Sequence, residues 1–232
     1  MKRINPLLFT ISCLILCHSC ATYEIQIAEQ AVEDNSQDKT VLHSFYLIGD
    51  GGNSPIGTMS DALRAFKEEL SRAPESSTAI FLGDNIYPKG LVPKGDPDRE
   101  FAEHQLKVQA EATEDFKGQA IMIPGNHDWY SAGIVGLKRQ ENFVESLMGK
   151  NSFLPENGCP IEKIEIGDQI VLILVDSEWY ITNWNKHPTI NDDCDIKTRK
   201  DFLSEFTDQI KKARGKTTVV ALHHPMYTNG SH

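Results

Sequence analysis

The run Ala120-Ile121-Met122-Ile123, stopped by Pro124 and followed by Gly125-Asn126-His127-Asp128, decides how this chain is read. Four apolar residues without polar alternation have the pattern of a strand covered on both faces. At its carboxyl end an amide, an imidazole and a carboxylate arrive together. Three other stretches share the design: Phe45–Ile48 runs into Gly49-Asp50-Gly51-Gly52, Ala79–Leu82 into Gly83-Asp84-Asn85-Ile86-Tyr87, and Thr218–Leu222 into His223-His224-Pro225. Strands that each deliver a metal-type ligand at the carboxyl end match the place where open α/β sheets build their sites.

Between these strands the spacing turns helical. Met59, Leu63, Phe66 and Leu70 recur on one face after Thr58, and Pro74 closes that element. Residues 100–117 read as a helix with His104 on its solvated face. A further helix over about residues 136–148 is expected to bury Leu137, Phe143, Val144 and Leu147. A last one over about 197–214 carries Phe202, Phe206 and Ile210 on one side. Residues 161–166 alternate while 170–175 are apolar throughout, so they predict a hairpin whose second strand is buried on both faces. Two stretches read as loops. Pro88, Gly90, Pro93, Gly95 and Pro97 mark a surface excursion beside the site, a candidate lid, in which Lys89 and Lys94 are solvated charges or phosphate contacts. Glu178 to Trp184 is an aromatic loop, packing over a sheet edge or rimming a pocket. The fold class is α/β, layered.

At 232 residues and 40% hydrophobic, the chain has the length of one good-sized α/β domain. Its first 19 residues are a different object. Lys2 and Arg3 precede the apolar run Pro6–Leu16, which is too short to span a bilayer, and Ser19-Cys20 follows. The expectation is an exported protein, held at the periplasm or cell surface as a lipoprotein cut before Cys20 and lipidated there. An ordinary secretory signal is the alternative, since Cys17 stands where an aliphatic residue is usual. Residues 20–40 are a polar tether, and 41–232 form the domain. Export permits disulfides, and Cys159 and Cys194, both in polar loops, are expected to pair. The net charge of −10 argues against nucleic acid as a partner, because that binding rests on Lys and Arg. A small phosphorylated substrate remains open, provided metal ions supply positive charge.

Two ions held for phosphoryl chemistry need a bridging ligand, for which a carboxylate with two oxygens is suited. Asp84 is the candidate bridge. Asp50 would serve the first ion, and Asn126 with His223 the second. The neutral amide of Asn126 leaves that ion a stronger Lewis acid than a third carboxylate would.

GDGG at 49–52, GDNIY at 83–87, GNHD at 125–128 and VALH at 220–223 resemble, in identity and order, the calcineurin-like metallophosphoesterases, and within them most closely the purple acid phosphatases. The resemblance spans about residues 43–232. It implies an αββα sandwich, two facing mixed sheets flanked by helices. It also implies a phosphomonoesterase with two metal ions, iron paired with zinc, manganese or iron, and a metal-bound hydroxide as nucleophile. Where most of the family places a ligating histidine, two residues after the first aspartate, this chain has Gly52. Tyr87 matches the tyrosine that binds ferric iron in the purple acid phosphatases. By the same resemblance His127 contacts phosphate oxygens, with Asp128 raising its basicity, and His232 serves the leaving-group side. His224 is expected to point away, an exchange of roles with His223 being the alternative. The family's last motif, Gly-His-x-His, has no counterpart in residues 1–232. The expectation is a reading frame that continues beyond His232; the alternative is an underligated chain of little activity. A phosphodiesterase or nucleotidase of the same fold, and a catalytically silent surface binding module, are the competing functions.

Overall fold

The computed structural model describes residues 40–227. Cys20 and His232, with the expected signal segment and almost all of the expected tether, lie outside the described residues. Three strands, β1 (Ser44–Ile48), β2 (Ser77–Phe81) and β3 (Gln119–Met122), form one sheet in that order. All three are parallel, with Ile48 opposite Phe81 and Phe81 opposite Met122, so their carboxyl ends lie side by side. A second sheet is ordered β4 (Ile161–Ile166), β5 (Ile170–Val175), β6 (Thr217–Leu222), antiparallel in its first pair and parallel in its second. Thus only the second sheet is mixed among the described strands.

Alternation along each strand builds the layers. Ile80, Ile121 and Ile123 from the first sheet form one buried cluster with Leu172, Leu174 and Ala221 from the second. That is the core between the sheets. The intervening residues Ala79, Phe81 and Met122 instead join Leu63, Phe66 and Leu70 of helix α1 (Asp61–Arg72) and Leu106 of α2 (Arg99–Ala112), with the Phe66 and Phe81 rings edge to face at 5.5 Å. On the far side Val171, Ile173 and Val175 belong with Trp179 and Phe202, the latter on α6 (Arg199–Lys212). Each fully buried Leu or Ile contributes about 1.5–3 kcal/mol relative to exposure. Helices, two sheets and helices therefore stack in the expected order, and strand β5 is buried along its whole length. The outer strands are less covered: Leu47 on β1 is 56% exposed and Val220 on β6 is 37% exposed.

Several local expectations change. Helix α1 starts at Asp61 rather than just after Thr58, capped by Ser60, whose hydroxyl accepts the Leu63 amide. After the short helix α3 (Asn126–Trp129), α4 (Ile134–Met148) buries Leu137 and Val144 but leaves Leu147 exposed, one step off the stripe. On α6 Phe202 is buried and Ile210 is 38% exposed. His104 is tied down, its Nε2 lying 2.9 Å from the Pro55 carbonyl and 3.0 Å from that of Thr58. Residues Ser177–Ile181 form a short helix, α5, rather than a loop, because Asp176 caps it through the Trp179 amide. Trp179 is buried beneath it against Trp184. The proline- and glycine-rich stretch is no lid in its first half. Leu91 and Val92 are buried, and the Leu91 amide donates to Gln140 Oε1 at 3.1 Å. Arg139 and Arg99 donate to the Leu91 and Val92 carbonyls. Lys89 pairs with Asp98 at 3.2 Å. Cys159 and Cys194 form the expected disulfide.

Candidate metal centre

The loops after β1 and β2 are laced by backbone hydrogen bonds: Asp50 N to Gly83 O, Gly52 N to Asp84 O, and Tyr87 N to Gly52 O, at 2.9–3.1 Å. Both aspartates sit in the left-handed region, Asp50 at φ 58° and Asp84 at φ 54°. Aspartate tolerates that conformation better than most residues, yet it still costs about 1 kcal/mol or more and persists only where the surroundings enforce it. Close approach explains the glycines. A Cβ on Gly52 would strike the Asn85–Ile86 backbone, and one on Gly125 would strike Asp84. A Cβ on Gly83 would stand 2.7 Å from the Gly125 nitrogen and 2.8 Å from His223 Nδ1. The β1, β2, β3 and β6 ends can meet at one point only because these positions carry no side chain.

At that point Asp50, Asp84 and His223 each offer a ligand atom, all within 4.8 Å of one another. Asp84 is 3% exposed, and its two oxygens face different partners. Oδ2 accepts from the Tyr87 hydroxyl at 2.8 Å, and the same hydroxyl lies 2.6 Å from Asp50 Oδ1. Oδ1 accepts the His127 amide at 2.9 Å and lies 3.5 Å from His223 Nε2. Asn126 completes that side, its Oδ1 3.1 Å from His223 Nε2. Tyr87, Asn126 and the triad therefore come together as the sequence predicts.

The donor set fits a cation. His223 Nδ1 lies 2.8 Å from the Leu82 carbonyl, which can only accept, so hydrogen-bond geometry assigns the proton to Nδ1 and the lone pair to Nε2. Asn126 Nδ2 bonds the Tyr130 hydroxyl at 2.7 Å, which turns the amide oxygen toward that lone pair. With the imidazole in that neutral form, Asp84 Oδ1, Asn126 Oδ1 and His223 Nε2 are acceptors facing one another, an arrangement a positive ion among them would relieve. On the other side one phenolic hydrogen serves two carboxylates. Burial first, then hydrogen bonding to Asp50 and Asp84, hold the Tyr87 phenol well above its usual pKa in the absence of a cation.

Asp128 does not reach the imidazole of His127. It is fully buried and accepts from the Gly125 amide at 2.8 Å, the Asn85 amide and side chain at 3.1–3.2 Å, and Gln140 Nε2 at 2.7 Å. Burial raises its pKa to about 6, with those hydrogen bonds opposing. It fixes the turn that presents Asn126 and His127, and so is a positioning residue. The partner of His127 Nδ1 is the Pro88 carbonyl at 2.6 Å, which leaves Nε2 turned toward the site, 3.9 Å from Asp84 Oδ2. The His127 ring lies between those of Tyr87 and Tyr130, tilted 54° to each, with centroids 4.3 and 4.8 Å away. His224 points to α5, with Nδ1 2.8 Å from Ser177 Oγ, so the exchange of roles with His223 does not occur here.

Sequence reading missed Asn85, Gln140 and Tyr130. Gln140 had a visible signal, a polar residue on the same helical face as Leu137 and Val144. Asn85 Nδ2 also donates to the Ile123 carbonyl, tying the β2 loop to the end of β3.

A family model described as calcineurin-like phosphoesterase matches residues 43–232. Comparison with curated proteins finds no match. Among solved structures, a protein of unknown function from Aquifex aeolicus is similar at 14% identity and a TM-score of 0.31, covering 78% of this chain and 90% of that one. A score that low carries no argument.

Proposed function

Because the chain belongs to the calcineurin-like phosphoesterase family, whose members are metal-dependent, we propose that it is an exported phosphomonoesterase of the purple acid phosphatase type with a dinuclear centre. The observation that carries the proposal is the double aspect of Asp84. One oxygen faces Tyr87 and Asp50, the other His223 and Asn126, which suits a carboxylate shared between two ions. Gly52 supports the branch. No side chain fits there, so the common histidine ligand has no room, while the Tyr87 hydroxyl lies within 2.6–2.8 Å of both aspartates. Phenolate is a hard ligand suited to a trivalent ion, and iron paired with zinc, manganese or iron fits the set.

The ions, when bound, supply Lewis acidity toward the phosphoryl oxygens and lower the pKa of the attacking water. The protein's own groups do the rest. Asp50, Tyr87 and Asp84 would hold one ion, and Asp84, Asn126 and His223 the other. Leu82 keeps the His223 lone pair aimed at the site by accepting the Nδ1 proton. His127, held by Pro88 through Nδ1, presents Nε2 to the phosphoryl oxygens and the departing alkoxide, where its imidazolium form donates a hydrogen bond or proton. Asp128 holds this turn from beneath. The substrate is a small phosphate ester rather than nucleic acid, and the protein is held to a membrane by lipid on Cys20, in keeping with the acidic chain and its amino-terminal pattern.

Elemental analysis of purified variants tests the division of roles. Asp84→Ala should lose both ions. His127→Ala should keep its metal and lose turnover by roughly 10²–10⁴-fold. Metal retained in Asp84→Ala would refute the bridging role. Visible absorption from a ferric phenolate, abolished in Tyr87→Phe, would support the branch; its absence in an iron-loaded parent would overturn it.

A further inference from the structure

Beside the metal centre lies a cleft of about 630 Å³, lined by Trp129, Tyr130, Glu178, Thr182, Lys186 and His187, among others. Its volume falls in the range of small-molecule sites, about 300–1,000 Å³, and far exceeds what a phosphoryl group needs. It adjoins the centre through Tyr130, whose hydroxyl meets the Asn126 side chain and whose ring lies 4.8 Å from that of His127. The far wall is fixed. The His187 ring stands edge to face with Trp129 at 5.6 Å and fills the space a Cβ on Gly133 would take. Glu178 forms the deep side, 9% exposed, hydrogen-bonded to Thr182.

We infer that this cleft takes the leaving group of the ester and that it is shaped for a polyhydroxylated ring, a sugar free or within a nucleoside. The inference rests on the phosphomonoesterase reading for the word leaving group, but the cleft is a separate structure. Its lining mixes an acceptor-only carboxylate (Glu178), a donor-only ammonium (Lys186) and an amide that does both (Asn183), with the exposed ring of Tyr130 as an apolar platform. Hydroxyl groups both donate and accept, so a polyol satisfies all of these at once. A plain aryl or alkyl group would offer no hydrogen bond to the Lys186 ammonium, the Asn183 amide or the remaining acceptor capacity of Glu178, and would forfeit those contacts. A second phosphate would meet the Glu178 carboxylate in a chain of net charge −10. Tyr130 is in this view a specificity residue, touching the ring of the leaving group on one side and holding Asn126 on the other.

The test uses the full chain loaded with manganese and compares kcat/KM for glucose 6-phosphate with that for ethyl phosphate. The parent should prefer the sugar ester by roughly tenfold or more, the worth of one or two hydrogen bonds. Ala132→Phe fills the cleft at a position already at φ 71° and exposed, removing no hydrogen bond, and Lys186→Ala removes the rim donor. Each should lower the ratio of the two kcat/KM values several-fold. In parallel, D-glucose is titrated into the metal-free parent and Ala132→Phe, with tryptophan fluorescence reporting through Trp129; it should saturate only the parent. Equal use of both esters by the parent, a ratio untouched by both variants, or a parent that ignores D-glucose would overturn the inference. A metal-loaded parent that hydrolyses neither ester yet saturates with D-glucose would sink the phosphomonoesterase reading while leaving the cleft standing.

Discussion

The two sheets contribute to the centre unequally. The first supplies three loops, after β1, β2 and β3, locked to one another before any ion arrives. Backbone hydrogen bonds join Asp50 to Gly83 and Gly52 to Asp84, and the buried carboxylate of Asp128 gathers the Asn85 and Gly125 amides beneath Asp84. Among the described residues the second sheet supplies His223, attached to the first by its own Nδ1 to the Leu82 carbonyl. Its position otherwise depends on how Leu172, Leu174 and Ala221 pack on Ile80, Ile121 and Ile123. One half of the site is held by directional bonds and the other by the fit of two apolar surfaces. Damage to the two halves should therefore look different.

The largest effect is expected from Asp128→Ala. It strands four buried N–H donors of Gly125, Asn85 and Gln140, each costing about 1–3 kcal/mol when unpaired, for a total on the order of 3–6 kcal/mol after relaxation. Denaturant unfolding should show that loss. Metal affinity should fall with it, because the turn bearing Asn126 and the loop bearing Asp84 both come loose. Asp128→Asn should recover only part of the loss, since its NH₂ would face donors.

A smaller and more selective effect is expected in the inter-sheet core. Leu174→Ala and Leu63→Ala remove the same volume from fully buried positions, one between the sheets and one under α1. Each should cost about 2–5 kcal/mol. Only Leu174→Ala should also weaken metal binding, through His223, while the Asp50–Asp84 side keeps its ligands. Equal metal affinities in the two variants would mean that inter-sheet packing does not set the His223 position.

Much of this was legible because the information is local. Strand ends with Gly-Asp or Gly-Asn-His-Asp announce themselves within a few residues, and the order of the four brings Asp50, Asp84, Tyr87, Asn126 and His223 together. The burial of β5 on both faces could likewise be read from Ile170–Val175. The direction of Asp128 could not, because it is set by Asn85 and by Gln140 on α4, 43 and 12 residues away in the chain. The supposed lid failed for a related reason. Leu91 and Val92, two apolar residues among prolines and glycines, are held by Gln140, Arg139 and Arg99, and no periodicity within the loop reports partners from elsewhere. The α5 segment was readable in principle from Asp176 as a helix cap, but its aromatic content masked the helical period.

The smallest effect concerns Asp176, a carboxyl that touches both halves of the comparison without touching the centre. It follows directly on β5 of the second sheet, accepts the Trp129 indole N–H at 3.0 Å from the element after β3, and caps α5 through the Trp179 amide. Full burial raises its pKa to about 8, although both hydrogen bonds favour the ionised form. With the folded value above the unfolded one, the native state binds the proton more tightly. Stability is therefore lost as pH rises from about 4, where the unfolded chain gives up this proton, to about 8, where the folded one does, and the loss is complete above that. Asp176→Asn cannot ionise, so it lacks this slope, though it turns an NH₂ toward one of the two donors and starts from a lower stability. Thermal unfolding of parent and variant in matched buffers should therefore show a gap in Tm that narrows, or reverses, on going from pH 5 to pH 8. A gap that stays constant across that range would mean that Asp176 sheds its proton as easily folded as unfolded.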